Sequence, residues 1–390
     1  MNIRRTLLRT VARTQRGVGL IETMVGILIG MIVVLVVYNT LILAEEHKRA
    51  NIGVADAQIT GQLTQFILGR ELANGGAALM MSVDELASCS DWRLKPLPVA
   101  IRAGATANDP DELTVFYSTS PRIVHPVRFG ANVNTPDPLP VESPNGFKVD
   151  DWVIATNRST NCSLGKVTGI TQWPSGNTYP PADKGGRVQL AYTPASAFNF
   201  DTNGRVINMG PQFARIHYTI DSAKAQLNSQ NVNWLDPGAP TFAPVVPMAQ
   251  NIVLLKAQYG VDTNGDNLVD CWTAADNANT CGNGVDYTGP TDPKTTAGGA
   301  GSFAASATAA QLRSVKAVRL AIVVRSEDEA RHDAAGASLV NQTAWLFNCG
   351  ANDATCQGRI QLDNTILNDY FRYRIYETTV PLRNALWNQT

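Results

Sequence analysis

The hydrophobic pattern divides the chain into an apolar segment near its start, an amphipathic stretch and a long region of short alternating runs. Residues 24–44 (MVGILIGMIVVLVVYNTLILA) contain no charged side chain. A helix of this length extends about 30 Å, which is enough to cross the hydrocarbon core of a bilayer. The pattern therefore predicts one membrane-spanning helix near the N-terminus.

The helical spacing continues beyond the apolar segment, because large apolar residues recur every three or four positions from 52 to 67. Gly75 and Gly76 then provide a helix stop. We predict one spine helix over 18–76, ending at about Asn74, whose second half buries its large apolar side against a sheet. The residues expected to be buried are Ile52, Ala55, Ile59, Leu63, Phe66 and Ile67, and those expected to be more exposed are Asp56, Gln58, Gln62 and Gln65.

The region 77–390 is predicted to be a mostly β globular domain, which makes the fold class α+β: a long N-terminal helix packed on a multi-stranded antiparallel body. Candidate strands cover 112–119, 147–157, 166–173, 187–193, 212–221, 252–262, 315–326 and 373–384. In the fifth of these, apolar and polar residues alternate from Ala214 to Ile220, as in a half-buried strand. The low-complexity segment around 295–310 indicates a flexible insertion over about 275–311.

The charge pattern bears on orientation and on partners. With 32 basic and 33 acidic residues, the chain has no basic excess of the kind that accompanies nucleic-acid binding. Five arginines precede the apolar segment and none follows immediately, which favours a cytoplasmic N-terminus and a periplasmic body.

The six cysteines fit an oxidising compartment. Two pairs are close in sequence, Cys271 with Cys281 and Cys349 with Cys356, and each lies in a stretch rich in turn residues. We predict these two local disulfides, with Cys89 paired to Cys162 by elimination; the alternative is a set of scattered buried thiols. Without a CxxC pair and with only four histidines, a zinc site is not expected.

The cleavage signal lies before the apolar segment. An ordinary secretory signal is cut after its apolar run, at a site with small residues, but the sequence after Ala44 offers no such site. Residues 16–22 (RGVGLIE) instead resemble the junction of type IV prepilins and pseudopilins. The resemblance implies that prepilin peptidase removes the leader 1–17 by cutting between Gly17 and Val18. It also implies N-methylation of Val18, although family members mostly carry Phe or Met there, and an assembly role for Glu22.

A carboxylate at the edge of an apolar helix is a functional candidate in its own right, because an acid at mid-bilayer costs about 2.5–3.5 kcal/mol on insertion scales. Cleavage would create a free amine at Val18, about one helical turn from Glu22. In a filament a neighbour's amine could pair with this acid. The alternative is that Glu22 only reaches the lipid headgroups.

Four later segments resemble the PilW branch of minor pilins: 70–77 (RELANGGA), 258–270 (QYGVDTNGDNLVD), 315–326 (VKAVRLAIVVRS) and 378–384 (TTVPLRN). This resemblance implies a subunit that primes pilus assembly with other minor pilins and the major pilin on an inner-membrane platform. It also implies a place near the tip with a PilY-type adhesin. Two alternatives stay open: a J-type pseudopilin of a type II secretion system, and a calcium- or glycan-binding adhesin anchored by a pilin helix.

One segment has the oxygen-donor spacing of an EF-hand-type calcium loop, and calcium is the only cofactor that the sequence suggests. The ligand candidates are Asp262, Asn264, Asp266 and Asp270. Asn267 stands where glycine is expected and Thr273 replaces the bidentate Glu, so a plain turn between strands is an equal alternative.

No catalytic constellation is recognisable. The sequence lacks GxSxG, HExxH, P-loop and dinucleotide-binding motifs. Asp150 and Asp151 are adjacent, so on a strand they would point to opposite faces and could not act as a pair. We therefore expect a structural protein and not an enzyme.

Overall fold

The structure is a computed structural model, and it divides into two units, residues 1–53 and 54–390. It describes residues 17, 19–106, 108–120, 125–130, 132–134, 139–172, 186–191, 199–212, 214–232, 242–275, 281–290, 302–327, 344–348, 361–362 and 371–386. The first unit is helical wherever it is described, apart from positions 17 and 19 at its start. The second unit carries the β-sheets.

The helix α1 covers Leu20–Asn74, and its residues from 54 onward belong to the second unit. It ends directly before the glycine pair. Gly76 has a φ of 77°, in the left-handed region where a side chain would be strained, and its amide donates to the carbonyl of Phe116 at 2.8 Å. The chain thus leaves the helix at the position where β-structure can begin.

The remaining described helices are short: α2 (Val83–Leu86), α3 (Phe303–Ser306), α4 (Ala309–Ser314) and α5 (Arg383–Leu386). Single 3₁₀ turns lie at Met80–Ser82, Trp92–Leu94 and Leu346–Asn348. The described strands are β1 (Val99–Arg102), β2 (Glu112–Tyr117), β3 (Val127–Arg128), β4 (Val133–Asn134), β5 (Leu139–Val141), β6 (Trp152–Thr156), β7 (Cys162–Gln172), β8 (Gly186–Ala191), β9 (Asn199–Phe200), β10 (Arg205–Gly210), β11 (Ala214–Asp221), β12 (Gln226–Asn231), β13 (Val246–Gln250), β14 (Ile252–Val261), β15 (Cys271–Ala274), β16 (Val315–Arg325), β17 (Ala344–Trp345), β18 (Gln361–Leu362) and β19 (Tyr373–Pro381).

The strands form three larger sheets whose described pairings are all antiparallel. Their strand orders are β1-β2-β11-β12-β13, β3-β10-β6-β7-β8-β5 and β15-β14-β16-β19, with β4-β9 and β17-β18 as two-stranded pairs. The fold class predicted from the sequence, α+β with a long N-terminal helix and antiparallel sheets, is confirmed.

The main hydrophobic core joins the end of α1 to the first and third sheets. Leu68 and Leu72 of α1 lie in one cluster with residues of β1, β2, β14 and β16. A second cluster lies in the six-stranded sheet and includes Phe129, Phe147 and Val206. At about 1.5–3 kcal/mol for each fully buried large side chain, the first cluster anchors the end of the helix to the body.

Each of the eight sequence-predicted strands overlaps an observed strand, but β11 is more buried than its alternation suggests. Arg215 and His217, on its polar side, are also buried. The Arg215 guanidinium lies 4.6 Å from the Trp92 ring centre, and His217 contacts Thr114 at 3.0 Å and Glu112 at 3.4 Å. Burial alone would raise the pKa of Glu112, but the hydrogen bonds and charges of His217 and Arg102 outweigh it and lower the pKa to about 2.

The insertion predicted over 275–311 is described at residues 275, 281–290 and 302–311, and several of these residues pack on the core. Tyr287 and Phe303 are almost fully buried, and their ring centres lie 4.9 Å apart beside Tyr259. Ser302 caps α3 and Thr308 forms a capping box on α4, so the alanine-rich sequence folds into two short helices on the core. Residues 276–280 and 291–301 lie outside the described part of the chain.

Candidate functional sites

The N-terminal end of α1 carries the residues expected to direct processing and assembly. Gly17 and Gly19 are exposed, and the Thr23 amide donates to the Gly19 carbonyl at 3.1 Å, which begins the helix. Glu22 is exposed in the first helical turn, where a negative charge is favoured by the helix dipole. Val18 lies outside the described residues.

The segment Leu20–Glu45 is long and apolar enough to cross a membrane by length and composition, a test that a signal sequence would also pass. Within the first unit, no part of its most apolar stretch is buried by other residues. The side chains are therefore available to lipid or to other helices.

The second half of α1 buries the opposite side from the one predicted. Ile59, Leu63 and Phe66 are 63%, 56% and 67% exposed. Of the other predicted core residues, Ile52 and Ala55 are exposed and Ile67 is half-buried. The residues turned to the body are Ala57, Gly61, Thr64, Leu68 and Leu72.

The reason for this choice of face is the close approach of α1 to β19. A Cβ on Gly61 would overlap the ring of Tyr376, so only glycine fits there. Gln65 is half-buried, and its Nε2 donates to the Glu377 carbonyl at 2.9 Å. The small residues at 53, 57, 61 and 64 recur at helical spacing just as the large apolar ones do, and this was the signal in the sequence that pointed to the buried face.

The end of α1 is fixed to the first sheet by a buried acid. The Tyr117 hydroxyl donates to Glu71 Oε2 at 2.7 Å. Burial, followed by the hydrogen bond to Glu71 and its charge, raises the pKa of Tyr117. The Tyr117 hydroxyl therefore keeps its proton at neutral pH, and its hydrogen bond to Glu71 ties the helix to β2.

Two disulfides lie in the described part of the chain. Cys89 bonds to Cys162 and Cys271 to Cys281, with Cα–Cα distances of 5.5 Å and 5.6 Å. The first ties the segment after α2 to the start of β7, and the second closes a short loop beyond β15. The predicted pair Cys349–Cys356 lies outside the described residues.

The predicted calcium loop brings three of its acids together. Single carboxylate oxygens of Asp262, Asp266 and Asp270 lie within 4.8 Å of one another. The Asn264 side-chain amide donates to Asp266 and to Asp270, both at 3.2 Å. Asn267 takes the left-handed conformation, with φ of 70°, that glycine usually provides at this position. The loop thus has the left-handed turn that the motif needs at its sixth position.

The inner side of this loop already holds a positive charge. The Nζ of the buried Lys316 lies 3.6 Å from Asp262 Oδ2 and donates to Asn267 Oδ1 at 2.9 Å. Burial alone would raise the pKa of Asp262, but backbone amides and Lys316 lower it. Thr273, in place of the bidentate Glu, is fully buried in β15. Of the four candidate ligands, Asp266, Asp270 and Asn264 are exposed and Asp262 is buried.

Asp150 and Asp151 do not form a catalytic pair. Asp150 forms a 2.7 Å ion pair with Lys166. Asp151 is buried and accepts from the Lys148 amide and from Asn208 Nδ2. These contacts give both carboxylates a structural role in the turn before β6.

Comparison with known proteins gives two family matches. Residues 217–384 match the family described as Type IV Pilus-assembly protein W, and residues 12–38 match the prokaryotic N-terminal methylation motif. The C-terminal part of the chain is therefore similar to the PilW family, and its N-terminal part carries a methylation-type motif. No curated protein matches it. A type IV-like pilin from Thermus thermophilus matches over 85% of this chain and 96% of its own, at 11% identity and a TM-score of 0.30.

Proposed function

We propose that this chain is a minor pilin that primes assembly of a type IV pilus and is incorporated into it, near the tip. The two family matches support a pilus-related, structural role. The observation that carries the proposal is the exposed apolar side of α1 at Ile59, Leu63 and Phe66, beyond the membrane-length segment.

This surface calls for a partner on energetic grounds. Full burial of one large apolar side chain contributes about 1.5–3 kcal/mol, and three lie one or two turns apart on one helix side. The side of the helix that packs most closely, around Gly61, already contacts β19 of the same chain. In a filament, the helices of neighbouring subunits supply the missing apolar contacts.

Processing follows from the N-terminal match. Prepilin peptidase is expected to cut between Gly17 and Val18, and Val18 is expected to be methylated. The new amine of one subunit would then pair with Glu22 of a neighbour, since a buried acid needs a positive partner.

A minor pilin of this kind has an expected location and expected partners. The anchor crosses the inner membrane with its arginine-rich end in the cytoplasm, and the disulfide-bonded body lies in the periplasm until assembly. Its partners are other minor pilins, the major pilin, the inner-membrane platform and a PilY-type adhesin. The PilW match favours this role over that of a J-type pseudopilin.

The test of this function is Leu63→Asp. It should leave the membrane level and the melting of the body unchanged but reduce recovery in sheared pili severalfold, because a charge would enter the subunit interface. Gln58→Asp, an exposed change on the same helix, should assemble normally. Equal recovery of both variants at the wild-type level would refute an assembly role for this surface.

We also propose that the loop from Asp262 to Asp270 binds calcium weakly, through Asp266, Asp270 and the side-chain oxygen of Asn264, with Asp262 shaping the loop. The supporting observation is the convergence of three carboxylates. Neither Asp266 nor Asp270 has an ion-pair partner among the described residues. The loss of the bidentate acid and the nearby Lys316 both weaken the site.

A further inference from the structure

We propose that the groove between the last turns of α1 and the edge of β19 binds an extended, carboxylate-bearing segment of a partner protein by strand addition. The groove has a volume of about 560 Å³ and lies entirely within the second unit. The helix contributes Phe66, Gly69, Arg70 and Ala73, and the strand contributes residues 378–381.

The strand β19 lies at the end of the third sheet. It pairs with β16 along its whole length, and no other described strand pairs with it. The Leu382 amide donates to the Lys316 carbonyl, and the Ser326 amide donates to the Arg372 carbonyl. The even-numbered residues of β19 therefore bond toward β16. The odd-numbered residues therefore turn their backbone groups to the open edge.

Beside the groove, one residue of that edge has a backbone N–H and a backbone C=O that are both without a described hydrogen-bond partner. The Glu377 carbonyl is already bonded to Gln65. The next outward residue is Thr379, and the described part of the chain supplies no partner for its outward N–H and C=O groups. Pro381 lacks an N–H and limits how far pairing can continue. An added strand would therefore exchange its central pair of hydrogen bonds with Thr379.

The helix side of the groove suits an extended segment. Gly69 and Ala73 line the helix side of the groove with little side-chain bulk. A Cβ on Gly69 would make an ordinary contact with Val380 at 3.8 Å, so the helix lies close to the strand there and the room for a peptide is along the outer edge of β19. Phe66, two-thirds exposed, forms an apolar wall. A peptide between a helix and an edge strand is a known recognition mode, in which backbone bonds give affinity and alternate side chains give specificity.

Charge selects the chemistry of this segment. The groove is lined by two arginines, Arg70 and Arg383, and by no acid. Arg383 is exposed and has no ion pair among the described residues. The backbone beside it is held to the end of α1, because Asn384 Nδ2 donates to the Gly75 carbonyl at 3.0 Å. Arg70 lies 3.4 Å from Glu71, whose other oxygen accepts from Tyr117. A carboxylate on the partner complements this site.

The binding can be tested on the purified full-length chain in detergent micelles, so its outcome does not depend on filament assembly. The probe is a phage-displayed library of random decapeptides, followed by synthesis of the selected peptides. Selection should enrich extended sequences containing Asp or Glu. Arg70→Glu combined with Arg383→Glu should weaken their binding at least about tenfold. Arg374→Glu, the same change on an exposed part of β19 outside the groove, should not.

A second measurement separates strand addition from simple charge attraction. Two sets of peptides are compared, one methylated on the backbone nitrogens of its odd-numbered residues and one on those of its even-numbered residues. The set whose methyl groups replace the N–H groups facing β19 should lose binding, and the other set should keep it. If the double charge variant melts abnormally, Arg383→Gln alone serves in its place. Selection of helical peptides, indifference to both methylation patterns, or binding unaffected by the arginine variants would each overturn the proposal.

Discussion

At the scale of single residues, Lys316 decides how the acidic loop behaves. Its ammonium group is buried beside Asp262, so the most enclosed carboxylate is neutralised from within the fold. Burial lowers the pKa of Lys316, and the charge and hydrogen bond of Asp262 oppose that change. Any calcium bound here must therefore rely on the exposed acids, which limits its affinity.

Calcium should raise the melting temperature of the full-length chain at millimolar concentration, because a ligand of the folded state stabilises it by RT ln(1 + [L]/Kd). At a hundredfold excess over Kd the gain is about 2.7 kcal/mol. Asp266→Ala should remove the shift, whereas Asp286→Ala, an exposed acid outside the loop, should keep it. A melting temperature insensitive to calcium would leave the loop as a turn.

Glu22 should be needed for assembly but not for insertion or leader cleavage. In the bilayer its carboxylate can stay near the headgroups, whereas between packed helices it needs a positive partner. Glu22→Gln keeps the shape and removes the charge, so the mature protein should accumulate normally while its recovery in sheared pili falls. Normal piliation and incorporation of the variant would reduce Glu22 to a bystander at the membrane edge.

At the scale of elements, the body selects the narrow side of α1 and leaves the broad apolar side open. Glycine, alanine and threonine at the contact let the helix approach β19 closely, and tight packing of many atoms compensates for small side chains. The larger residues remain exposed on the helix surface.

Two glycines on this helix give a matched test of that packing. Gly61→Ala should destabilise the body by about 1–2 kcal/mol, since overpacking against Tyr376 costs about 1–3 kcal/mol and the gain in helix propensity is up to about 1 kcal/mol. Gly69→Ala meets only an ordinary contact with Val380 and should be neutral or stabilising by up to about 1 kcal/mol. Urea denaturation measures both. Equal effects would mean that close approach at Gly61 is not what sets the buried face.

The sequence predicts the elements better than their packing. The glycine stop at 75–76, the position of β16 and the spacing of the calcium-like loop are local properties, and local patterns reveal them. The buried side of α1 depends on which face fits β19, which lies about 300 residues away, and two periodic patterns compete on one helix. The burial of Arg215 and His217 and the groove beside Thr379 likewise depend on which elements cover a strand. Periodicity marks both faces of α1 without deciding between them, and it does not show which elements cover a strand.

At the scale of the whole molecule, the chain combines an apolar helical unit and a folded β-rich unit. The first has no described contacts that bury its apolar surface, and the second leaves apolar residues of the same helix exposed. Burial of these surfaces in lipid and then in a filament accounts for both observations under the proposed function.

The mature N-terminus of the chain in the sheared pilus fraction tests the account most directly. Under the proposed function, cleavage after Gly17 is the step that connects the basic leader, the apolar helix and Glu22 in one assembly sequence. Mass spectrometry of the N-terminal peptide should find a chain that begins at Val18 and carries a methylated amine. An intact Met1, or a start beyond Ala44, would contradict the assignment of this chain as a pilin.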